Sequence, residues 1–380
     1  MKRIIFSNDL EFNQNKMSFQ FIQFTFKIHS RSITSLILVF FLLNIGIAQT
    51  TGPCSNPINI PNAPGLNYRP YGITVAGSNS SGTATDQVNN SRALAIDAAG
   101  NIYVAEFKNN RVQKWAPGAR FGVTVAGGNG AGSADNQFDG PWGLTVDAAG
   151  NIYVSDYYNH RVQKWAPGAS SGTTVAGGNG WGAASNRLAY PAGLFVDGVG
   201  NIYVADLGNH RVQKWAPNAT SGTTVAGGNG SGSTANKLDN PASVAVDAAG
   251  NIYVADSKNN RVQRWAPNAS SGTTVAGGNG SGGAANQLEL PYAVVIDDLR
   301  NVYVADFRNA RIQKWAPGAS SGTTVAGGNA LGSAANQLNG PYGLAIDAAK
   351  NLYISDHHNL RIQKWAPSAS SGITVAGNVG

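Results

Sequence analysis

Three sets of residues have the types and spacing of chemical machinery. Six acidic side chains stand five residues before an arginine: Glu106 and Arg111, Asp156 and Arg161, Asp206 and Arg211, Asp256 and Arg261, Asp306 and Arg311, Asp356 and Arg361. A carboxylate and a guanidinium at that spacing can form a charge-assisted bridge, or a catalytic pair. Four histidines, His160, His210, His357 and His358, offer imidazole nitrogens to a metal such as zinc. Glycine-rich runs such as Gly127-Gly128-Asn129-Gly130 have the composition of a loop that cradles phosphate.

The acidic–arginine pairs and the glycine-rich runs recur with a period of fifty residues. The segment Asn-(Ile/Val/Leu)-Tyr-(Val/Ile) begins at Asn101, Asn151, Asn201, Asn251, Asn301 and Asn351 with no insertion between copies. A fixed period of this length points to stacked supersecondary units. In residues 141–190, the runs Gly143-Leu144-Thr145-Val146, Ile152-Tyr153-Val154-Ser155-Asp156, Arg161-Val162-Gln163-Lys164-Trp165 and Thr173-Thr174-Val175-Ala176 are rich in strand formers. Turn residues separate them, so they predict a four-stranded antiparallel meander. Ile152 and Val154 fall on one face, Tyr153 and Ser155 on the other, and both faces need cover. Neighbouring copies supply it, which predicts an all-β fold: a six-bladed β-propeller of four-stranded antiparallel blades.

The pattern Pro-x-Gly-Leu-x-Val-Asp-x-x-Gly-Asn-Ile-Tyr-Val-x-Asp-x-x-Asn-x-Arg-Val-Gln resembles the NHL repeat, six times between about residues 91 and 376. The first copy departs from it, with Ser91 at the proline position and Glu106 in place of Asp. The resemblance implies a six-bladed propeller, in agreement with the count of repeats. Two segments compete for the outer strand of the sixth blade, Thr74-Val75-Ala76-Gly77 and Thr374-Val375-Ala376. The second is tethered by a shorter loop and loses less entropy on docking. Closure by the N-terminal copy is nevertheless expected, because it removes a free sheet edge.

Repetition assigns most of the chemistry-bearing residues to the scaffold. A catalytic role for the acidic–arginine pairs would need six identical active sites, so they are expected to bridge hairpins. Asp97, Asp147, Asp197, Asp247, Asp297 and Asp347 sit where Asp bonds its own turn, and Trp115, Trp165, Trp215, Trp265, Trp315 and Trp365 are expected to pack between blades. The glycine-rich runs lack a following helix and a Lys-Ser/Thr pair, which leaves them as crossing loops. Zinc held through histidines, as in the peptidyl-amidating lyases that share this kind of propeller, would draw on His160, His210, His357 and His358. Asn-His-Arg is ordinary in NHL repeats, however, and His357 and His358 lack an evident third partner. Gluconolactonase-like propellers place calcium-binding carboxylates in the channel, where only Asp139, Asp239 and Glu289 vary here. No Ser-His-Asp or paired-carboxylate arrangement emerges from spacing. No cofactor and no catalytic residue are expected; a metal-dependent lyase or lactonase is the alternative.

The departures from the repeat gather in the loops after the second strands and at the starts of the first strands. Such loops share one face of a propeller. The expected ligand-binding residues there are Trp142, Tyr157, Tyr158, Tyr292, Phe307, Arg308 and Tyr342. Mixed aromatic and basic side chains are the usual makeup of a recognition surface. The expected partner is a protein or a glycan.

The first 48 residues lie outside the repeat. Lys2, Arg3, Lys16, Lys27 and Arg31 precede an apolar run over residues 36–43, and Gly46-Ile47-Ala48 offers a small-residue cleavage site. That order predicts a signal peptide, with residues 49–72 as a flexible leader and the propeller over 73–380. Residues 33–48 are short for a membrane span; left uncleaved they would act as a signal anchor, with the propeller still outside. Without residues 1–48, 22 basic residues face 18 acidic ones, a net charge of +4. A small, dispersed charge argues against nucleic acid, as does export. Cys54 is the only cysteine, which excludes an internal disulfide. Asn79, Asn89, Asn218, Asn229, Asn268 and Asn279 begin Asn-x-Ser/Thr sequons, candidates for glycosylation of an exported chain.

Overall fold

Short strands with apolar side chains on both sides leave two faces to bury, and the computed structural model, which describes residues 81–377, buries both. Six four-stranded sheets form, each from four consecutive strands in simple order. The first blade contains Ser91–Ile96, Ile102–Glu106, Arg111–Trp115 and Val123–Gly127. The sixth contains Pro341–Ile346, Leu352–Asp356, Arg361–Trp365 and Ile373–Gly377. The first strands of all six blades line a central channel with a volume of about 310 Å³.

Each core lies between two blades. Tyr103, Ala105, Val112 and Phe138 meet Leu144, Ile152, Val154 and Trp165 of the second blade. Tyr153, Val162 and Leu188 then meet Leu194, Ile202, Val204 and Trp215 of the third. Burying one large apolar side chain contributes about 1.5–3 kcal/mol, so the expected packing role of the tryptophans matches where they lie.

The expectation of closure by residues 74–77 is corrected. Arg361–Trp365 pairs with Ile373–Gly377, the C-terminal copy of the outer strand, so the sixth blade is one continuous segment. The short connection through residues 366–372 carries the smaller entropy cost. Residues 74–77 lie outside the described residues. The ring closes by face packing instead: Leu94, Ile102, Val104 and Trp115 meet Tyr353, Ile362 and Ala376.

The acidic–arginine pairs clamp the loops that cross between blades. Asp256 is fully buried, and its Oδ2 accepts from Arg261 Nε at 2.7 Å and from Asn259 Nδ2 at 2.8 Å. Its Oδ1 accepts from the Asp239 backbone N–H at 2.6 Å. Arg261 donates onward to the carbonyls of Ser233, Thr234 and Lys237 at 2.7–3.2 Å. Burial raises the carboxyl pKa at Asp156, Asp206, Asp256, Asp306 and Asp356, opposed by the arginines and the hydrogen bonds. The first-turn aspartates also behave as expected: Asp147 Oδ1 accepts from the backbone of Ala149 and Asn151, and Oδ2 from Asn151 Nδ2 and the Tyr153 hydroxyl. In the glycine-rich loop, Gly127 has φ +66°, and a Cβ there would stand 2.5 Å from the Asn110 carbonyl.

In blades one to four a latch to the next blade sits at the last residue of the loop following the second strand. Asn110 and Asn260 adopt left-handed φ of 50° and 52°, and their Oδ1 atoms accept from Gly140 N and Leu290 N at 2.9 and 3.0 Å. At the same position His160 and His210 use Nδ1 to accept from Tyr190 N and Asn240 N, both at 3.2 Å. Ala310, at φ 51°, has no side-chain acceptor to offer. Ala310→Asn should therefore raise stability by about 1 kcal/mol, seen as a higher urea midpoint. Arg261→Met strands the Asp256 charge and releases a crossing loop, so urea unfolding should show a loss of about 3–5 kcal/mol.

Candidate binding face

Antiparallel strands reverse at every turn, so the loops after strands two and four emerge on the same face of the ring. There the second residues of the first strands are Arg92, Trp142, Ala192, Ala242, Tyr292 and Tyr342. The large members lie across the end of the channel. Trp142 and Tyr342 are 8% and 4% exposed, and Phe107, Tyr157, Leu207, Tyr292 and Phe307 pack around them. Trp142 stacks on Tyr157 with centroids 4.8 Å apart, and Tyr292 stacks on Tyr342 at 4.3 Å. Trp142 and Tyr342 meet edge to face at 5.5 Å, joining the two stacks into one cap. Stacked and edge-to-face pairs add about 0.5–1.5 kcal/mol each beyond area burial, so the cap is preorganised.

Small residues beneath the cap make it possible. Gly143 approaches the third blade so closely that a Cβ would stand 2.3 Å from the Ala192 carbonyl oxygen. Gly140, at φ +68°, leaves room for Phe107 and Tyr158, whose rings a Cβ would meet at 2.8 and 3.0 Å. Arg92 fills a cage of three rings, its guanidinium carbon 4.5 Å from the Phe107 centroid, 4.3 Å from Trp142 and 4.5 Å from Tyr342. Its Nη1 donates to the Tyr342 hydroxyl and its Nε to Asn90 Oδ1 at 3.0 Å.

Five of the seven expected binding residues thus belong to one cluster: Trp142, Tyr157, Tyr292, Phe307 and Tyr342. Tyr158 stands at its edge, 50% exposed, and touches Tyr157 and Phe107. Arg308 is exposed beside Phe307. Three members were passed over. Arg92 shares the register position of Trp142 and Tyr342, and Phe107 that of Tyr157 and Phe307, so position within the repeat marked both. Tyr190, 5.0 Å from the Tyr157 ring, lies in a crossing loop at a position that also varies between copies, with Asn90, Gly140, Asn240, Leu290 and Gly340 as its equivalents.

The histidines are otherwise engaged. His160 and His210 serve the blade latch, and burial lowers the His160 pKa. His210 also has Nδ1 3.4 Å from Asp239 Oδ1. His357 is buried at the seam between blades six and one, where its Nδ1 lies 3.1 Å from the Ser91 carbonyl. His358 lies against His357 and Phe307. Among the described residues no group of three or more His, Cys, Asp or Glu is placed to hold a metal. Among the sequons, Asn218, Asn229, Asn268 and Asn279 are exposed, Asn89 is half-buried, and Asn79 lies outside the described residues.

Fold and face together define a six-bladed β-propeller of tandem repeats with an aromatic cap over its axis. The family model of the NHL repeat matches residues 138–165, 188–215 and 238–265, and the chain is an NHL-repeat β-propeller. No curated protein matches it. A solved structure of unknown function from Bacteroides thetaiotaomicron superposes with a TM-score of 0.60 at 17% identity, over 77% of this chain and 75% of that one. An auxiliary nutrient binding protein from the same organism gives 0.57 at 13% identity, over 77% and 75%. A gluconolactonase from Xanthomonas campestris gives 0.52 at 16% identity, over 71% and 84%. Likeness at these identities shows a shared fold.

Burial lowers the His357 pKa from 6.5 to about 4. The unfolded chain takes up this proton near 6.5 and the folded one near 4, so acidification through that window favours unfolding. Its stabilising contribution is full above about pH 6.5 and lost towards pH 4. Urea midpoints measured from pH 7.5 to 4 should fall less steeply for His357→Gln than for the parent; parallel curves would refute this.

Proposed function

We propose that this protein is an exported, noncatalytic NHL propeller that binds a protein or glycan ligand on its aromatic face. The observation that carries the reading is the cap itself. Blades three and four have Ala192 and Ala242 where blades two, five and six have Trp142, Tyr292 and Tyr342, and all fold alike. Large rings at this position are therefore not a requirement of the scaffold. Rigid aromatic side chains gathered on one surface provide contact area at low cost in conformational entropy. The export part rests on the charged, apolar and small-residue order of residues 1–48. If that segment is retained, it anchors the propeller to the membrane from outside.

The test is a glycan and protein array probed with residues 49–380 and with a Tyr157→Ala, Tyr292→Ala double variant. Both rings are half-buried, so their loss disturbs folding less than removal of Trp142 or Tyr342. With about 1–2 kcal/mol for each truncated aromatic anchor, affinity for any hit should fall by about 30- to 1,000-fold. Hits whose affinity is unchanged in the variant would place the binding elsewhere.

A further inference from the structure

Every arginine at the clamp position has a carboxylate within 2.9 Å. Arg92 has none within 4 Å among the described residues, although it is half-buried and enclosed by Phe107, Trp142 and Tyr342. A guanidinium held by aromatic faces keeps its charge but loses much of its water, which leaves it short of a counter-ion. Nε and Nη1 are occupied by Asn90 and Tyr342, while Nη2 has no partner among the described residues. The carboxylates of this face do not supply the need: Asp239 lies beside His210, and neither Asp139 nor Glu289 forms an ion pair with Arg92.

We infer that the face takes an acidic saccharide, its carboxylate bound by Arg92 and its sugar ring resting on the aromatic side chains around the cap. This rests on the binding reading above and adds the class of ligand. The sign of the ligand charge follows from the cage, which is already filled by a cation and so refuses a second one. A planar carboxylate matches the donors of a guanidinium, and the rings fix that guanidinium in place beforehand. The body of the ligand follows from the surroundings. Half-buried Tyr157, Tyr190 and Tyr292 offer flat apolar surface with a hydroxyl at the rim, which suits the C–H face and hydroxyls of a pyranose. A peptide main chain would want a free strand edge, and the edges here lie at the channel wall and at the perimeter.

Calorimetric titration of residues 49–380 tests this with four probes: trigalacturonate, its methyl ester, a hyaluronan tetrasaccharide and an acidic tripeptide. At least one acidic saccharide should bind, and for galacturonate the ester should bind at least about tenfold more weakly, because it keeps the ring and loses the charge. Arg92→Met should weaken binding at least about tenfold, with Arg92→Lys in between, since a point charge lacks the planar fork. Near-ultraviolet circular dichroism establishes that each variant keeps its packed aromatic cap, and the Lys variant decides if the Met variant does not fold. Equal binding of acid and ester, equal affinity in a folded Arg92 variant, or preference for the peptide would each overturn the inference. Failure of both acidic saccharides also overturns it; array hits that remain sensitive to Tyr157 and Tyr292 would then leave the binding reading standing. If no hit responds to those tyrosines, both fall.

Discussion

A four-stranded blade with apolar residues on both faces cannot be stable alone, and this need for cover on two sides organises the molecule. Ile152 and Val154 must meet the blade before them and Tyr153 the blade after, so each sheet is held between neighbours. A linear stack would leave its first and last faces wet. Bending the stack into a ring removes both, at the cost of one seam. The seam uses the same residue positions as the other interfaces, which is why it needs no exchanged strand.

With the cores fixed between blades, the loops on one face are free to differ only if something else holds them. The buried acidic–arginine clamps do this. Each binds three kinds of partner: the loop asparagine, the backbone of the crossing loop, and carbonyls further along that loop. Loop conformation is thereby set by residues pointing inward, and the outward residues are released from structural duty. Phe107, Tyr157, Leu207 and Phe307 share one position with the buried Ser257 and His357, yet the strands on either side pair in the same register in all six blades. His357 and Ser91 show the reverse situation. The His357 ring nitrogen lies against the Ser91 backbone carbonyl across the seam, as the Ser257 hydroxyl donates to the Pro291 carbonyl between blades four and five, so this position also ties one blade to the next.

The fold was legible because its causes are local and repeated. Period, strand alternation, turn residues and the acidic–arginine spacing can all be seen in one copy and checked in five others. The site was legible only by its outline. Variation at the position of Trp142 and at that of Tyr157 pointed to one face, and five of the seven residues chosen there do meet. Arg92 and Phe107 occupied the same marked positions, but nothing local says that a guanidinium from the first blade will be enclosed by rings from the first, second and sixth.

The strand that completes blade six shows the same boundary. Residues 74–77 and 374–377 have the same sequence, Thr-Val-Ala-Gly, so local propensity cannot choose between them; loop length and packing of the closed ring do. By itself, the sequence determined the repeat unit, the number of blades, the scaffold roles of Asp256 and Arg261, and the face on which function is to be sought. Those features depend on residues within one repeat or its immediate neighbour. Only the tertiary structure decided which side chains converge on the axis, because residues 250 positions apart, Arg92 and Tyr342, become neighbours when the ring closes.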